Sequence, residues 1–456
     1  MMAVPGLAPF AMTQRRFSGI VMRYGATNAQ LRPEKPSDIA RHIEKVAKEF
    51  GEHQRKRERK RCAQLIDTMC AYISEYTAME VRAVAHGMPL IFGKDIDDKW
   101  VQTIATYTLK RANMMPAYLL YPLANSISRM GKSQCHILEQ LVGICIKRIN
   151  EANSIDLATI AQTAILLKRN KGVNELMEAV ANATLAPNII AEISATNAVL
   201  ILYAFAQIGM KHEGLFEALL DVITKLNHED FQVHLIPLAL HSLAKFKYKN
   251  HRALHAVTDH ALQVVHKMQP ENLSSTIYAL ARLMFNQQAL VREIAKKTAQ
   301  HLPNIGVREL SNIFWGLAKL RHDDLPLAND IIDRVIQYDH IDNMSFAQIF
   351  EGMRCYHMVD KRDAISTLLK RYKTIMPSCS TQIVTQVAWC CCSLGYWGQD
   401  IIPNSLEELC LRDRSKKEQK YVEMLLEALK VHGFQPEDTI RHYNDKMRAS
   451  RQLQPT

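Results

Sequence analysis

Apolar positions along this chain recur with the period of a helix. In residues 272–283, Leu273, Ile277, Leu280 and Ala281 share one face, and Met284 continues it. That spacing matches one side of a 3.6-residue turn and not the alternation of a strand. Residues suited to helix starts precede such runs, at Ser194/Thr196, Asn272/Ser274, Asn343/Ser345 and Ser378/Ser380. A second helical run follows each one, as in "LFEALLDVITKL", "ALHAVTDHALQVVHKM", "ALVREIAKKTAQHL" and "LANDIIDRVIQY". Pro270, Pro303 and Pro377 fall between a second run and the next first run, where a helix has to stop. The predicted unit is helix–turn–helix.

The unit repeats. "LYAFAQI" (202–208), "LHSLAKF" (240–246), "IYALARL" (277–283) and "FWGLAKL" (314–320) align without gaps. Weaker copies put Ser128, Leu167, Arg354 and Cys392 at the position held by Ala206, Ala244, Ala281 and Ala318. The steps along the series are 39, 39, 38, 37, 37, 36 and 38 residues. Two positions before the alanine sits a small residue (Ala204, Ser242, Ala279, Gly316), which lets neighbouring helices approach. One unit cannot bury its apolar face alone, so stacked units build the core. The expected fold is all-α, an α-solenoid of about eight helix–turn–helix repeats of 36–39 residues across 116–400, with atypical helical caps at 62–115 and 401–456, the latter ending in a polar tail.

Composition agrees. The 456 residues exceed one ordinary domain, and 17 Gly with 16 Pro are too few for the turns of an all-β chain. None of the ten cysteines has zinc-site spacing, so they read as reduced thiols. The uncharged stretches 193–210 and 374–399 carry hydroxyl and amide side chains and read as buried helices, with no membrane span expected.

Charge changes the picture more. The net charge is +11, yet residues 1–61 hold 14 basic and 6 acidic side chains, against 43 and 40 in the remainder. The repeat body is close to neutral and cannot hold nucleic acid by bulk charge. Residues 1–33 contain four arginines and no acid, the composition of a mitochondrial transit peptide, which places the mature chain in the matrix; the alternative is a disordered end. A basic helical segment follows at 34–61 and ends in "RKRERKR". Its Arg55, Lys56, Arg57, Arg59, Lys60 and Arg61 suit RNA phosphates, an acidic partner, a nuclear address or a solvated helix end.

Within the repeats, the residue after the alanine position is Arg129, Lys168, Gln207, Lys245, Arg282 and Lys319 in turn. A solenoid aligns these into a ladder that tracks phosphates or, in the plainer reading, closes helix ends. Tyr203, His241, Tyr278, Trp315 and Trp389 occupy a ring position, for stacking on bases or for packing between repeats. His251, His255 and Asp259 lie on one helix face, but three successive turns cannot close around one metal ion. No phosphate-loop, dinucleotide or nucleophile-elbow motif occurs, so no catalytic residue, cofactor, metal or small-molecule substrate is expected.

"NLSSTIYALARL" (272–283) and "ELSNIFWGLAKL" (309–320) resemble the octotricopeptide and heptatricopeptide repeats of organellar proteins, including the helical parts of FAST-kinase-like and RAP-domain proteins. The resemblance covers roughly residues 115–400 and implies binding of organellar RNA in processing, editing, stability or ribosome assembly and translation. The C-terminal part shows no alternating strand pattern, so the RAP domain is not expected. The expected function is a non-catalytic mitochondrial RNA-binding scaffold, partnered by RNA and by other proteins of a ribonucleoprotein complex. The alternative is a HEAT- or armadillo-like protein scaffold with no RNA contact.

Overall fold

The computed structural model describes residues 35–130, 135–167, 172–225, 231–248, 250–396, 401–410, 416–431 and 441. The leader at 1–33, Lys168 and most of the polar tail lie outside the described residues. Among the described residues the regular structure is helical, with 22 α-helices. The chain divides into two compact units, Met1–Val222 and Ile223–Thr456.

The first unit holds α1 (Pro36–Glu49), α2 (Glu52–Ala71), α3 (Ala78–Phe92), α4 (Asp98–Arg111), α5 (Ala117–Met130), α6 (Cys135–Lys147), α7 (Ser154–Leu166), α8 (Val173–Thr184), α9 (Pro187–Glu192) and α10 (Ala195–Ile208), and α11 (Glu213–Thr224) reaches the division. The second unit holds α12 (Leu235–Phe246), α13 (His251–Val264), α14 (Pro270–Leu283), α15 (Gln288–His301), α16 (Val307–Lys319), α17 (Leu325–Val335), α18 (Asn343–Cys355), α19 (Arg362–Ile375), α20 (Thr381–Ser393), α21 (Ile401–Cys410) and α22 (Lys416–Val431).

Each unit is a stack of helix pairs in two layers. In the first, α1, α3, α5, α7 and α10 pack in succession, with α2, α4, α6 and α8 behind them. In the second, α12, α14, α16, α18, α20 and α22 pack in succession, and α13 packs on α15. The fold class is the expected solenoid type, and α1 to α4 stack as the later pairs do, although their sequence lacks the repeat pattern.

The first helices meet at the small residue. A Cβ on Gly316 would lie 2.9 Å from Ile277 Cγ1 and 3.2 Å from the Ile277 carbonyl oxygen. On Gly352 it would overlap the Phe314 ring, and on Gly87 it would lie 2.9 Å from Ile43 Cγ2. Ile277, Phe314 and Ile43 are fully buried, and each such side chain contributes roughly 1.5–3 kcal/mol relative to exposure.

Helix ends follow a second rule. First helices close with a left-handed residue three places after the alanine position: Gly209, Lys247, Met284, Arg321, His357 and Gly395. The next residue returns its N–H to a carbonyl one turn back, as Phe285 N does to Leu280 O at 3.0 Å and His322 N to Leu317 O at 3.0 Å. This is the closure that normally favours glycine, yet four of the six carry side chains at φ 52–55°. Starts differ in detail from expectation. Ser194 and Ser380 cap α10 and α20, but α18 is capped by Asp342, whose carboxylate accepts from Met344 N and Ser345 N at 3.0 Å each. α14 begins at Pro270, before Asn272, because proline's fixed φ suits the first helical position. Single 3-10 turns link second helices to the next first helix at Ile73–Glu75, Ile149–Glu151, Val265–Lys267, Leu302–Asn304 and Met376–Ser378, and the last two contain Pro303 and Pro377.

Two substitutions test these rules. Gly352→Val will cost about 2 kcal/mol or more through overpacking on Phe314, read as a lower denaturation midpoint. Met284→Gly will raise stability by roughly 0.5–1 kcal/mol, by relieving a left-handed residue whose side chain is 65% exposed. A neutral or destabilising result at position 284 would show that the left-handed backbone there carries no strain.

Candidate nucleic-acid interface

The basic run 55–61 lies on α2, and its side chains divide by role. Arg55 donates from Nε to Phe50 O at 2.8 Å and from a terminal nitrogen to Leu90 O at 3.1 Å. One turn on, Arg59 donates to Ile91 O at 2.9 Å and to Asp95 at 3.0 Å. The two arginines thus satisfy carbonyls at the end of α3 that have no helical donor. Lys56 pairs with exposed Glu52 at 3.1 Å. Arg57, Lys60 and Arg61 are exposed. The run therefore splits into a half-buried clamp and a solvent face, a division that depends on where α3 ends.

Of the ladder, Arg129, Lys245 and Arg282 are exposed and Lys319 is half-buried. Gln207, which interrupts the cations, is also half-buried. In the second unit the ring and cation positions converge. Tyr278 of α14 and Trp315 of α16 pack with centroids 5.1 Å apart and planes at 40°. The Arg282 guanidinium lies 5.9 Å from the Tyr278 centroid, and Lys319 Nζ 6.0 Å from that of Trp315. On α18 the ring position holds Glu351, which pairs with Lys319, lies 3.9 Å from Arg354 and accepts from Gln386. Arg354 covers the Trp389 ring at 4.4 Å. So Lys319 and Arg354 share one carboxylate, while Lys245 and Arg282 have no acidic partner among the described residues.

His241 of α12 stands beside this pair. Burial, then Lys245 and Arg282, push its imidazole down to about 4. The first unit holds a parallel cluster, in which burial and then Arg129, Lys48 and Arg82 lower the pKa of His86 on α3. Lys48 follows Ala47 as the other cations follow their alanines, a match hidden in sequence because α1 has Glu44 and Lys45 at the ring and small positions, and α3, which keeps His86 and Gly87 there, has Pro89 and Leu90 in place of the alanine and cation.

A second set of donors was not anticipated. Arg111, Arg148, His260, Lys297, Arg334 and Arg371 sit on or just after second helices, and each donates to a carbonyl of the preceding connector. Arg148 reaches Ala112 O at 2.6 Å and Met115 O at 2.7 Å. His260 Nε2 reaches Phe231 O at 2.8 Å, Lys297 Nζ His266 O at 2.6 Å, Arg334 Pro303 O at 3.0 Å and Arg371 Tyr338 O at 2.6 Å. The last four follow one another at 37-residue intervals, which was the available signal. These groups are committed to the fold.

His251 and His255 turn to the Phe285 ring, with centroids 6.3 and 5.1 Å away, and Asp259 accepts from Gln287 at 3.4 Å. Among the described residues no His/Cys/Asp/Glu group has a metal-binding arrangement, and no helix is long and apolar enough to cross a membrane. Cys390, Cys391 and Cys392 are buried free thiols whose pKa burial raises.

Stacked helix pairs define a helical-repeat protein, and on the second unit they bear a strip of cations and rings. The family model described as RNA-editing substrate-binding complex 6 protein matches residues 44–325, more than half of the chain, and the chain belongs to that family. No curated protein matches it. A similar solved structure is described as a homology model of the full-length AP-3 complex in an intermediate open conformation, at 10% identity over 90% of this chain and 86% of that one. Its TM-score of 0.27 bears on neither fold nor function.

The histidines set a pH dependence. His86, His234, His241 and His322 all have lowered pKa values, with burial the first cause. Below about pH 6.5 the unfolded chain takes up protons that the folded chain does not. Stability therefore falls as the pH drops, and for His241 the loss continues to about 4. His241→Gln will flatten the fall in denaturation midpoint between about pH 7 and 5. An unchanged slope would remove His241 from the account.

Proposed function

We propose that this chain is a non-catalytic RNA-binding scaffold within an RNA-editing substrate-binding complex, acting in the mitochondrial matrix. The observation that carries the reading is the strip on the second unit, where exposed Lys245 and Arg282 lie beside His241 and Tyr278. Cations track phosphates, and half-buried rings offer faces to unpaired bases. On the first unit, Arg129 and the solvent face of α2, with Lys56, Arg57, Lys60 and Arg61, form a basic surface of their own. The family description supports the editing setting, and the acid-free leader supports the compartment. The repeat motif itself is read as of the octotricopeptide or heptatricopeptide kind.

A second reading, docking of another protein, has its own support on the first unit. Met79, Tyr118 and Ile155 are the second residues of α3, α5 and α7, and are 54%, 55% and 56% exposed. A regular apolar edge suits a protein partner, and a ribonucleoprotein scaffold needs both surfaces.

Charge reversal separates the two. Lys245→Glu with Arg282→Glu will weaken binding of a labelled single-stranded RNA at least about tenfold and lower the salt dependence. Lys319→Gln will do less, because Glu351 already neutralises Lys319. Unchanged RNA affinity in the double variant, with its circular dichroism preserved, would leave only the protein-docking reading.

A further inference from the structure

Beside the strip, the turns after α14 and α16 enclose a cleft of about 340 Å³. Asn286 lines it from one turn, Arg321, His322 and Asp323 from the next, and Gln288 and Arg292 from α15. Val291 and Leu320 give it an apolar floor and are buried. Its walls are fixed. Asn286 Nδ2 donates to Leu320 O at 2.8 Å and joins the two turns, which leaves its amide oxygen to accept. Tyr356 OH donates to His322 O at 2.9 Å and anchors the second turn from α18.

We infer that this cleft holds one nucleotide of a single-stranded RNA. The volume falls in the range of small-molecule pockets, about 300–1,000 Å³. The apolar floor suits the face of a base. Arg292 and Arg321 are exposed, have no acidic partner among the described residues and suit a phosphate. Asp323 and the Asn286 and Gln288 amides offer acceptors and donors to a base edge, which unpaired RNA exposes. The cleft also adjoins the strip in the chain: Asn286 comes four residues after Arg282, and Arg321 two after Lys319. A strand carried along the ladder thus meets the cleft at the α14–α16 step. This inference rests on the RNA-binding reading and adds a place where sequence is read.

Arg321 permits a clean test. It sits at φ 55°, so Arg321→Gly removes the cation from a position that favours glycine. The full chain carrying Arg321→Gly and Arg292→Gln is titrated with a labelled single-stranded RNA of mixed sequence over a salt series, with adenosine monophosphate as competitor. The expected result is about tenfold weaker RNA binding, with a salt slope reduced by roughly 0.7 for each phosphate that is no longer neutralised. A millimolar or weaker effect of the monophosphate is expected for a site that works on a strand. Unchanged RNA affinity and slope, while Lys245→Glu with Arg282→Glu still weakens binding, would overturn the cleft and leave the strip standing. Displacement of the RNA by micromolar monophosphate would overturn the assignment to a strand. No RNA binding by the unsubstituted chain would overturn the strip and the cleft together.

Discussion

The structure depends on how closely consecutive first helices approach one another. At Gly316 and Gly352 the facing side chain occupies the space that a Cβ would need. That close approach fixes the axial register of one helix against the next. Once it is fixed, the residues on either side have no freedom over their neighbours. Tyr278 meets Trp315, Lys319 meets Glu351 and Arg354 covers Trp389. The strip on the second unit is therefore a by-product of packing: a core requirement sets the spacing, and surface residues inherit it.

Helix ends impose the other constraint, and it consumes charge. Connectors leave carbonyls without helical donors, and at six of them a cation or imidazole on or just after the next second helix supplies one. Arg148 and Lys297 each reach two such oxygens. Arg55 and Arg59 do the same for α3. A donor of this kind contributes roughly 1.5–3 kcal/mol, and its field is largely spent on the backbone. Counting lysines and arginines overstates what the surface can offer a polyanion.

Pitch, helix pairing and the small residue between first helices were legible in the sequence, because apolar spacing and the recurring alanine are direct consequences of stacking. The pairing of α1 with α3 was not, because Gly87 over Ile43 lies among residues that share little else with the later repeats. The connector donors were hidden for a different reason. Arginine, lysine and histidine all satisfy a carbonyl, so the position keeps a function without keeping a residue type. The left-handed closures at Lys247, Met284, Arg321 and His357 were hidden likewise, since glycine is the usual signal and is absent there. The candidate ladder was legible as a row, but its division into partnered and unpartnered members required Glu351, which stands where the pattern leads one to expect a ring.

Glu351 gives the strip a direction. A carboxylate among cations opposes phosphate there, and its single charge, shared by Lys319 and Arg354, offsets one of their two positive charges. The unpaired positive charge of the strip is thereby concentrated on Lys245 and Arg282, with Arg321 at the adjoining turn and Arg292 on α15. In a body close to electrical neutrality, a few unpaired cations dominate the local field, whereas on a strongly basic surface they would be indistinct. Binding through so few cations is weak and readily reversed by salt. Under the proposed RNA-binding function, those properties would suit a subunit that positions a strand among partners better than one that must capture it alone.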